Sequence, residues 1–349
     1  MLGQRRTSRV PGAIPMNRPG QSCPIEYHYD AREFRRATTS RAETAYVVGG
    51  LYGNLEALHE ILRMRESEAK RGIHIDLVFN GDHNWFNTDI ESFREVNQVA
   101  LESTSIRGNV EAELSAPTDA GCGCNYPDYV NAEYVARSNA IMRRLNDTAA
   151  QAPELREALG RLPYFRVLEV GECRIGIVHG DAEALSGWAF AAERLSPIGK
   201  CCSGDEADVE PTPLQTIERY FRDSGVHAFA STHTCLAHAR DYRVDGSDRL
   251  IINNGAAGLP NFANTGFGLI TRISTDTRIP PESLYGINMH GVRFDAVPVR
   301  FDTTAWLRRF FANWPPGSPA YEAYHSRIIK GPEFGLRHAI GGRVQRTNF

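Results

Sequence analysis

The sequence lacks the features that mark membrane-spanning and nucleic-acid-binding proteins. It contains no run of 18 or more apolar residues, so no membrane-spanning helix is predicted. Its formal net charge is only -3 at pH 7, which gives no electrostatic argument for a nucleic-acid partner. No internal repeat is visible. A membrane or nucleic-acid partner is therefore not indicated, and nothing in the sequence specifies an oligomeric state.

Cysteine is present, but in a number and pattern that do not indicate a secreted disulfide framework. The count is seven, which is odd, so we expect a reducing, cytoplasmic location. Four of the cysteines cluster, Cys122 with Cys124 and Cys201 with Cys202. This spacing differs from the C-x-x-C pairs of zinc and iron–sulfur sites. We interpret the four as unpaired loop cysteines, although C-G-C and C-C pairs are redox-capable.

Length and composition allow a packed core. The chain has 349 residues, of which 42% are hydrophobic and 23% charged. Residues 1–40 begin with a basic, Pro- and Gly-rich stretch, so we predict an N-terminal arm that is partly disordered and not a secretory signal, with a possible edge strand over 22–29. We expect one main domain over residues 41–300, with a helical insertion at about 111–162. Residues 301–349 are predicted to form a C-terminal helical extension.

The most informative segment is residues 44–58, where a short apolar run ends in a glycine-rich turn and an amphipathic helix follows at once. The apolar positions after Asn54 recur at helical spacing. A strand that ends in a tight turn before a helix N-terminus is a place where α/β proteins bind anions and metals. The segment therefore predicts a binding site at this strand end.

Four later segments also combine a strand with a polar loop. They read VFNGDHN (78–84), SIRGNVE (105–111), GIVHGD (176–181) and ASTHTC (230–235). Each loop carries Asp, Asn or His, whose oxygen and imidazole atoms are ligands for metal ions. Five such strand ends indicate a metal-dependent hydrolase.

In order and spacing, the five segments resemble the motifs of the calcineurin-like metallophosphoesterases. The motifs of that family are D-x-H, G-D-x-x-[DN], G-N-H-[DE], a lone H and G-H-x-H. Here they read Gly50-Leu51-Tyr52, Gly81-Asp82, Gly108-Asn109-Val110-Glu111, His179 and Thr232-His233-Thr234-Cys235. The resemblance implies an α/β fold, namely a two-sheet β-sandwich flanked by helices, here with a helical insertion.

The family holds two metal ions, and the resemblance carries over one of the two ligand sets in full. The second-metal ligands of the family correspond to Asp82, Asn109, His179 and His233 in this chain. Each of these residues follows an apolar strand in the expected motif order. The resemblance therefore implies that these four residues hold a metal ion.

The other ligand set keeps only Asp82, which both metals share. Gly50 stands at the Asp position, while Tyr52 and Cys235 stand at the two His positions. Two versions of this altered metal centre are possible. In the first, which we favour, the centre holds a single ion, because Gly50 stands where the family has a carboxylate and has no evident substitute. In the other, Tyr52 phenolate and Cys235 thiolate hold a second ion with Asp82. The expected cofactor is a divalent or trivalent ion, zinc, manganese or iron.

The family's third motif supplies a His that helps to protonate the leaving group, and Val110 stands at that position here. A proton donor would have to come from elsewhere, and His83 and His238 are the candidates. Asp181, just past His179, is a candidate for orienting an imidazole.

Three further residues are candidates for contact with substrate. Asn54 begins the helix after the first motif, and Arg107 directly precedes the third motif, where a cation could neutralise a phosphate oxygen. Asn253 lies in a late segment that resembles the family's I-N-x-G sequence.

The leading functional expectation is a metal-dependent phosphoesterase, a phosphatase or phosphodiesterase that hydrolyses a small phosphorylated substrate with metal-activated water. One alternative is a catalytically degenerate protein of the same fold that binds a nucleotide or phospho-ligand. Another is a metal–thiolate enzyme that uses Tyr52 and Cys235.

Overall fold

Residues 18–196 and 208–347 are described by a computed structural model, in which they form two mixed β-sheets of seven strands each. In spatial order the first sheet contains β1 (Thr39–Ala42), β5 (Phe165–Val170), β6 (Cys173–Val178), β7 (Ala228–Ser231), β9 (Ser247–Asn253), β8 (His238–Val244) and β13 (Ile340–Gly341). The second contains β14 (Gln345–Arg346), β11 (Tyr285–Met289), β12 (Val292–Val299), β10 (Gly268–Ser274), β2 (Thr44–Val48), β3 (Asp76–Phe79) and β4 (Thr104–Ser105).

Helices cover the outer faces of both sheets. Short 3₁₀ turns span Ile25–Tyr27 and Ala31–Arg36. The α-helices are α1 (Leu55–Ala69), α2 (Ile90–Glu102), α3 (Asn109–Ser115), α4 (Ala132–Ala149), α5 (Pro153–Gly160), α6 (Ala192–Leu195), α7 (Leu214–Ser224), α8 (Thr303–Asn313), α9 (Pro319–Lys330) and α10 (Leu336–Ala339). Within the described ranges, no helix combines the length and the apolar character that crossing a membrane requires.

Strand β2 shows how the layers are built from sequence. Its alternate residues Ala45 and Val47 lie in the core between the two sheets, while Tyr46 and Val48 pack against the helices on the outer face. All five residues of β2 are buried because this strand is central and covered on both sides. The predicted two-sheet α/β sandwich flanked by helices is therefore confirmed.

Parallel pairing brings the polar loops to common sheet edges. Strands β2, β3 and β4 pair in parallel in one sheet, and β6, β7 and β9 pair in parallel in the other. The carboxyl ends of parallel strands meet at one edge, so the loops that follow them lie side by side. This arrangement places the loops of all five motifs close together.

Most local predictions agree with the structure. The helix expected after Asn54 is α1, and the region predicted as a helical insertion contains α4 and α5. Helix α3, which begins at Asn109 itself, is an element that the sequence interpretation missed.

The predicted edge strand over residues 22–29 is wrong. Pro24, with its φ of -53°, caps a 3₁₀ turn at Ile25–Tyr27, and only His28 forms a β-bridge, to Ala184. A second turn at 31–36 follows a capping box at Asp30, and it buries Phe34 completely. Residues 1–17 of the expected arm lie outside the described residues, as do Cys201 and Cys202.

We predict that residues 31–36 contribute to global stability. Phe34 stacks on Phe165 at 4.3 Å and meets the edge of Phe229 at 5.6 Å. Phe34→Ala should lower the free energy of unfolding by about 3 to 5 kcal/mol, because it leaves a cavity in this aromatic cluster. Chemical denaturation measures the change. Ile25→Ala is the control, since Ile25 is 86% exposed and should have little effect. Equal small effects for both variants would contradict the prediction.

Candidate metal centre

Four polar side chains converge where the parallel strands end. Asp82 follows β3, Asn109 begins α3, and His179 and His233 follow β6 and β7. His179 Nε2 lies 3.0 Å from Asn109 Oδ1, 3.1 Å from His233 Nδ1 and 3.3 Å from Asp82 Oδ1. All four residues are nearly or fully buried. The ligand atoms of Asp82, His179 and His233 lie within 4.8 Å of one another and form a candidate metal-binding group.

Backbone carbonyls fix the orientation of both imidazoles. His179 Nδ1 lies 2.9 Å from the carbonyl oxygen of Asn80, and His233 Nε2 lies 3.0 Å from that of Cys124. A carbonyl only accepts hydrogen bonds, so these two nitrogens carry hydrogen. The remaining nitrogens then face each other at 3.1 Å with their lone pairs, which repel unless a proton or a cation lies between them. This donor set fits a metal ion.

The protonation of the pair follows from its burial and from Asp82. Burial opposes the charge on His179, but the carboxylate of Asp82 outweighs it and raises the pKa of His179. Burial also opposes ionisation of Asp82, whose pKa is nevertheless lowered by His179. Burial and the neighbouring His179 lower the pKa of His233 to about 3, so this imidazole is neutral at pH 7. Asp82 thus favours a proton on His179, whereas the neighbouring His233 is neutral.

The Glu111 side chain ties the loops of the second and third motifs together. Its Oε2 accepts hydrogen bonds from the backbone N–H groups of Asp82 at 2.8 Å and Gly108 at 3.0 Å. Its Oε1 accepts from the backbone N–H of His83 at 2.9 Å and from Asn84 Nδ2 at 3.2 Å. Glu111 is completely buried. Charge-assisted bonds of this kind are strong, so Glu111 fixes the distance between the loops that carry Asp82 and Asn109.

A small cavity of about 20 Å³ lies beside these ligands. This volume is enough for about one water molecule. Its walls are mostly aromatic: the lining consists of Tyr52, Asp82, Trp85, Asn109, Cys124, Tyr126, Tyr134, Trp188, His233, Cys235 and Tyr324.

Three residues that line the cavity have a left-handed backbone conformation. The φ angles of Tyr52, Asp82 and Cys235 are 57°, 56° and 62°, in a region that residues other than Gly, Asn and Asp rarely adopt. At Tyr52 and Cys235 this conformation costs on the order of 1 kcal/mol each, and strain of this kind clusters at functional sites. The folded chain therefore holds two strained residues in the lining of one cavity.

The residues that replace the family's first-metal ligands are arranged differently from the four second-metal ligands. Gly50 has a φ of 59°, and a Cβ there would lie 3.1 Å from Ala256 Cα, so the local backbone has little room for a side chain. Tyr52 Oη lies 2.7 Å from Cys235 Sγ. Burial raises the pKa of both groups above their ordinary values. The structure thus brings the two predicted replacement ligands into direct contact with each other.

The structure does not bring His83, His238 or Asp181 into the cavity. His83 is buried with its ring edge against Phe79, and neither ring nitrogen has a partner among the described residues. His238 Nε2 lies 2.8 Å from the carbonyl oxygen of Phe190. Asp181 accepts hydrogen bonds from backbone N–H groups at positions 183, 184 and 189 and shares none with an imidazole among the described residues. The roles predicted for these three residues are not supported by their positions.

The three predicted substrate contacts have structural partners instead. Asn54 caps α1 by accepting from the N–H of residue 57, and it donates to the carbonyl of residue 258. Arg107 donates to the carbonyls of residues 160 and 162 at the end of α5. Asn253 donates to Thr234 and accepts from the N–H of residue 255, so it shapes the loop of the fifth motif. None of the three lines the cavity.

Cys122 and Cys124 are joined in a disulfide, which corrects the prediction that they are unpaired. The short C-G-C segment also contacts the metal centre through its backbone. The carbonyl of Cys122 accepts from Asn109 Nδ2 at 2.8 Å, which turns Asn109 Oδ1 toward His179. The carbonyl of Cys124 accepts from Trp188 Nε1 as well as from His233.

Sequence reasoning missed the residues that the C-terminal extension contributes. Tyr324 of α9 lines the cavity, and Arg327 of the same helix donates to the carbonyl of Cys235 at 2.6 Å. No local pattern in residues 319–330 identifies them, because their relevance depends on where α9 packs.

We predict that Glu111→Gln weakens metal binding. The amide would place an N–H₂ group against backbone N–H donors, so metal affinity should fall roughly 10- to 100-fold. Stability should fall by about 2 kcal/mol. Isothermal titration with Zn²⁺ or Mn²⁺ and chemical denaturation measure the two effects.

Glu113→Gln is the matched control for this prediction. Glu113 is also buried in α3, but it accepts from Tyr27 and Thr118, away from the metal centre. It should lose stability while keeping its metal affinity. Unchanged metal affinity in Glu111→Gln would show that the loops hold their positions without this carboxylate.

Comparison with known proteins supports the fold. No protein-family model matches the sequence, and a search of curated proteins finds no match. Among solved structures, the chain is similar to a hypothetical protein from Pyrococcus horikoshii OT3, with 16% sequence identity, a TM-score of 0.52, and coverage of 83% of this chain and 99% of that one. It is also similar to a metallophosphoesterase from Sphaerobacter thermophilus, with 17% identity, a TM-score of 0.47, and coverage of 83% and 99%. At these identities the likeness concerns the fold alone. The chain therefore shares its fold, a two-sheet α/β sandwich flanked by helices, with the Pyrococcus protein.

Proposed function

We propose that this protein is a metal-dependent phosphoesterase that holds one metal ion on Asp82, Asn109, His179 and His233. The observation that carries the proposal is the pair of imidazole nitrogens that face each other at 3.1 Å beside two side-chain oxygens. A set of two imidazoles, one carboxylate and one amide oxygen suits zinc, manganese or iron(II).

The chemistry supplied by such an ion is polarisation of a phosphoryl oxygen and activation of water for attack on phosphorus. The carbonyls of Asn80 and Cys124 keep the two imidazoles in the tautomers that present lone pairs to the ion. Glu111 keeps the two loops that carry Asp82 and Asn109 together. The aromatic walls limit access of water to the cavity beside them.

A single ion fits the first motif better than two. The 2.7 Å contact between Tyr52 Oη and Cys235 Sγ is a hydrogen bond that needs a proton on one of the two atoms. The pair therefore cannot serve as two deprotonated ligands in this arrangement. Tyr52 and Cys235 also line the cavity, whereas His83 and His238 do not, so these two groups are the better placed sources of a proton for the leaving group.

Metal content tests the first part of the proposal. Anaerobically purified protein should contain one zinc, manganese or iron ion per chain, measured by elemental mass spectrometry. His233→Ala should lose that ion, whereas His238→Ala, which removes a buried histidine outside the cavity, should keep it. Two ions per chain would instead place Tyr52 and Cys235 among the ligands and favour the metal–thiolate alternative. No ion after reconstitution would reject the proposed centre.

Turnover tests the second part. The metal-loaded protein should hydrolyse phosphomonoesters or phosphodiesters, and the double variant His179→Ala/His233→Ala should be at least about 1,000-fold slower, because an ion contributes several kcal/mol to stabilising the transition state. Release of inorganic phosphate or of the alcohol measures the rate. Activity that survives in the double variant would refute the mechanism. Metal-dependent phosphate-ester binding without hydrolysis would favour a protein that binds such ligands and does not turn them over.

A further inference from the structure

The disulfide between Cys122 and Cys124 lies against the candidate metal centre. Cys124 lines the small cavity together with Asn109 and His233, and its Sγ lies 3.5 Å from Asn109 Nδ2. Cys122 is completely buried, and Cys124 is 5% exposed. We call residues 122–124 the CGC segment. The proposed phosphoesterase mechanism gives its disulfide no role.

Each of the three backbone carbonyls of the CGC segment accepts a hydrogen bond from a side chain. In chain order, the donors are Asn109 Nδ2 at 2.8 Å, Ser186 Oγ at 2.6 Å and His233 Nε2 at 3.0 Å. Two of these donors, Asn109 and His233, belong to proposed metal ligands. The orientation of successive peptide groups in the CGC segment therefore sets how two of the four ligands point.

The turn that aims these carbonyls depends on Gly123 and on the disulfide. Gly123 has a left-handed φ of 63°, and a Cβ there would lie 3.0 Å from Glu113 Cγ. Asn139 Oδ1 accepts a hydrogen bond from the N–H of Cys122 at 2.9 Å. The disulfide joins the two residues on either side of Gly123, so it closes the turn covalently.

Reduction of the disulfide has to change this turn. Two sulfur atoms that are no longer bonded to each other repel at bonded distance, so the side chains of Cys122 and Cys124 must move apart. Both residues are buried, and the cavity beside Cys124 has room for about one water molecule. Because the surroundings leave little space for the sulfurs alone, the backbone that carries them moves as well. The carbonyl contacts to Asn109 and His233 then weaken.

We propose that the CGC segment is a redox switch for the metal centre: its disulfide form binds metal more tightly than its dithiol form. The reductant is a thiol or dithiol. A thiolate attacks one sulfur, the bond between Cys122 and Cys124 breaks, and a second thiolate resolves the mixed disulfide. Two electrons and two protons thus pass to the cysteines, and the reductant leaves as a disulfide. This inference rests on the metal centre of the proposed function, but not on ester hydrolysis.

Metal affinity in the two redox states tests this inference. One sample of the full chain is kept in the disulfide form, and another is reduced anaerobically with a phosphine that is then removed by gel filtration. Mn²⁺ is titrated calorimetrically into each, because this ion prefers oxygen ligands and gains little from the freed thiolates. The disulfide form should bind Mn²⁺ roughly 10- to 100-fold more tightly, as expected when contacts that orient metal ligands are kept.

The reduction potential is the second readout, and a disulfide that only stabilises the fold would not show this effect. If Mn²⁺ binds the disulfide form more tightly, it stabilises that form and makes it harder to reduce. A roughly 10- to 100-fold difference in affinity corresponds to a potential about 30 to 60 mV more negative with saturating Mn²⁺ than without. Equilibration in glutathione buffers, alkylation of free thiols and mass spectrometry of the peptide that contains the CGC segment measure the potential.

Two double variants separate this disulfide from the other cysteines. Cys122→Ser/Cys124→Ser cannot form the bond, so it should bind Mn²⁺ like reduced wild type whether or not it has been treated with the phosphine. Cys201→Ser/Cys202→Ser is the matched control, since it removes the other close pair of cysteines in the sequence. It should keep the wild-type difference between the two redox states.

Equal Mn²⁺ affinity in the two redox states of wild type would overturn the inference, as would tighter binding after reduction or a potential that ignores Mn²⁺. Circular dichroism checks that the reduced chain is folded. Unfolding on reduction would also overturn the inference, because the bond would then hold the fold and not the metal centre.

The two proposals fail in different ways. Redox-dependent Mn²⁺ affinity without any ester hydrolysis would keep this inference and reject the phosphoesterase. Ester hydrolysis together with Mn²⁺ affinity that ignores the redox state would do the reverse.

Discussion

The candidate centre depends on one buried carboxylate. Glu111 accepts hydrogen bonds from the backbone at Asp82, His83 and Gly108, which lie in two different loops. These loops follow separate strands, and the pairing of those strands alone would not fix the distance between the loops. Both carboxylate oxygens of Glu111 accept these hydrogen bonds. If the loops moved apart, the buried charge of Glu111 would lose its hydrogen-bond partners, which costs free energy. Two of the four proposed metal ligands are therefore held before any metal binds.

The retained and the altered parts of the site join different pairs of loops, and they do so by different interactions. In the second-metal set, side chains from four strand ends converge on one point. At the first motif, the hydrogen bond between Tyr52 Oη and Cys235 Sγ links the loop after β2 to the loop after β7. In the family that this chain resembles, a metal ion joins these two positions. A hydrogen bond between strained residues, both with positive φ, makes that connection here.

Sequence patterns predicted the fold and the position of the site because both depend on local order. An apolar strand, a glycine turn and a polar residue recur in each motif, and parallel pairing then forces the loops together. The same patterns could not distinguish a ligand contact from a structural role at Asn54, Asp181 and Asn253, since Asn and Asp are also common as caps and turn residues. Their oxygens are already satisfied by backbone N–H groups, which no sequence pattern reveals.

Part of the cavity lining could not be predicted because it is assembled over long distances. Arg327 meets Cys235 across 92 residues of sequence, and Tyr324 meets Tyr134 although one lies in α9 and the other in α4. Neither helix carries a motif, and each alone is an ordinary amphipathic helix. Only when α9 packs against α4 do Tyr134 and Tyr324 come together in the lining of the cavity. The strand ends thus bring the proposed metal ligands together, while the packing of two helices outside the sandwich supplies part of the cavity wall.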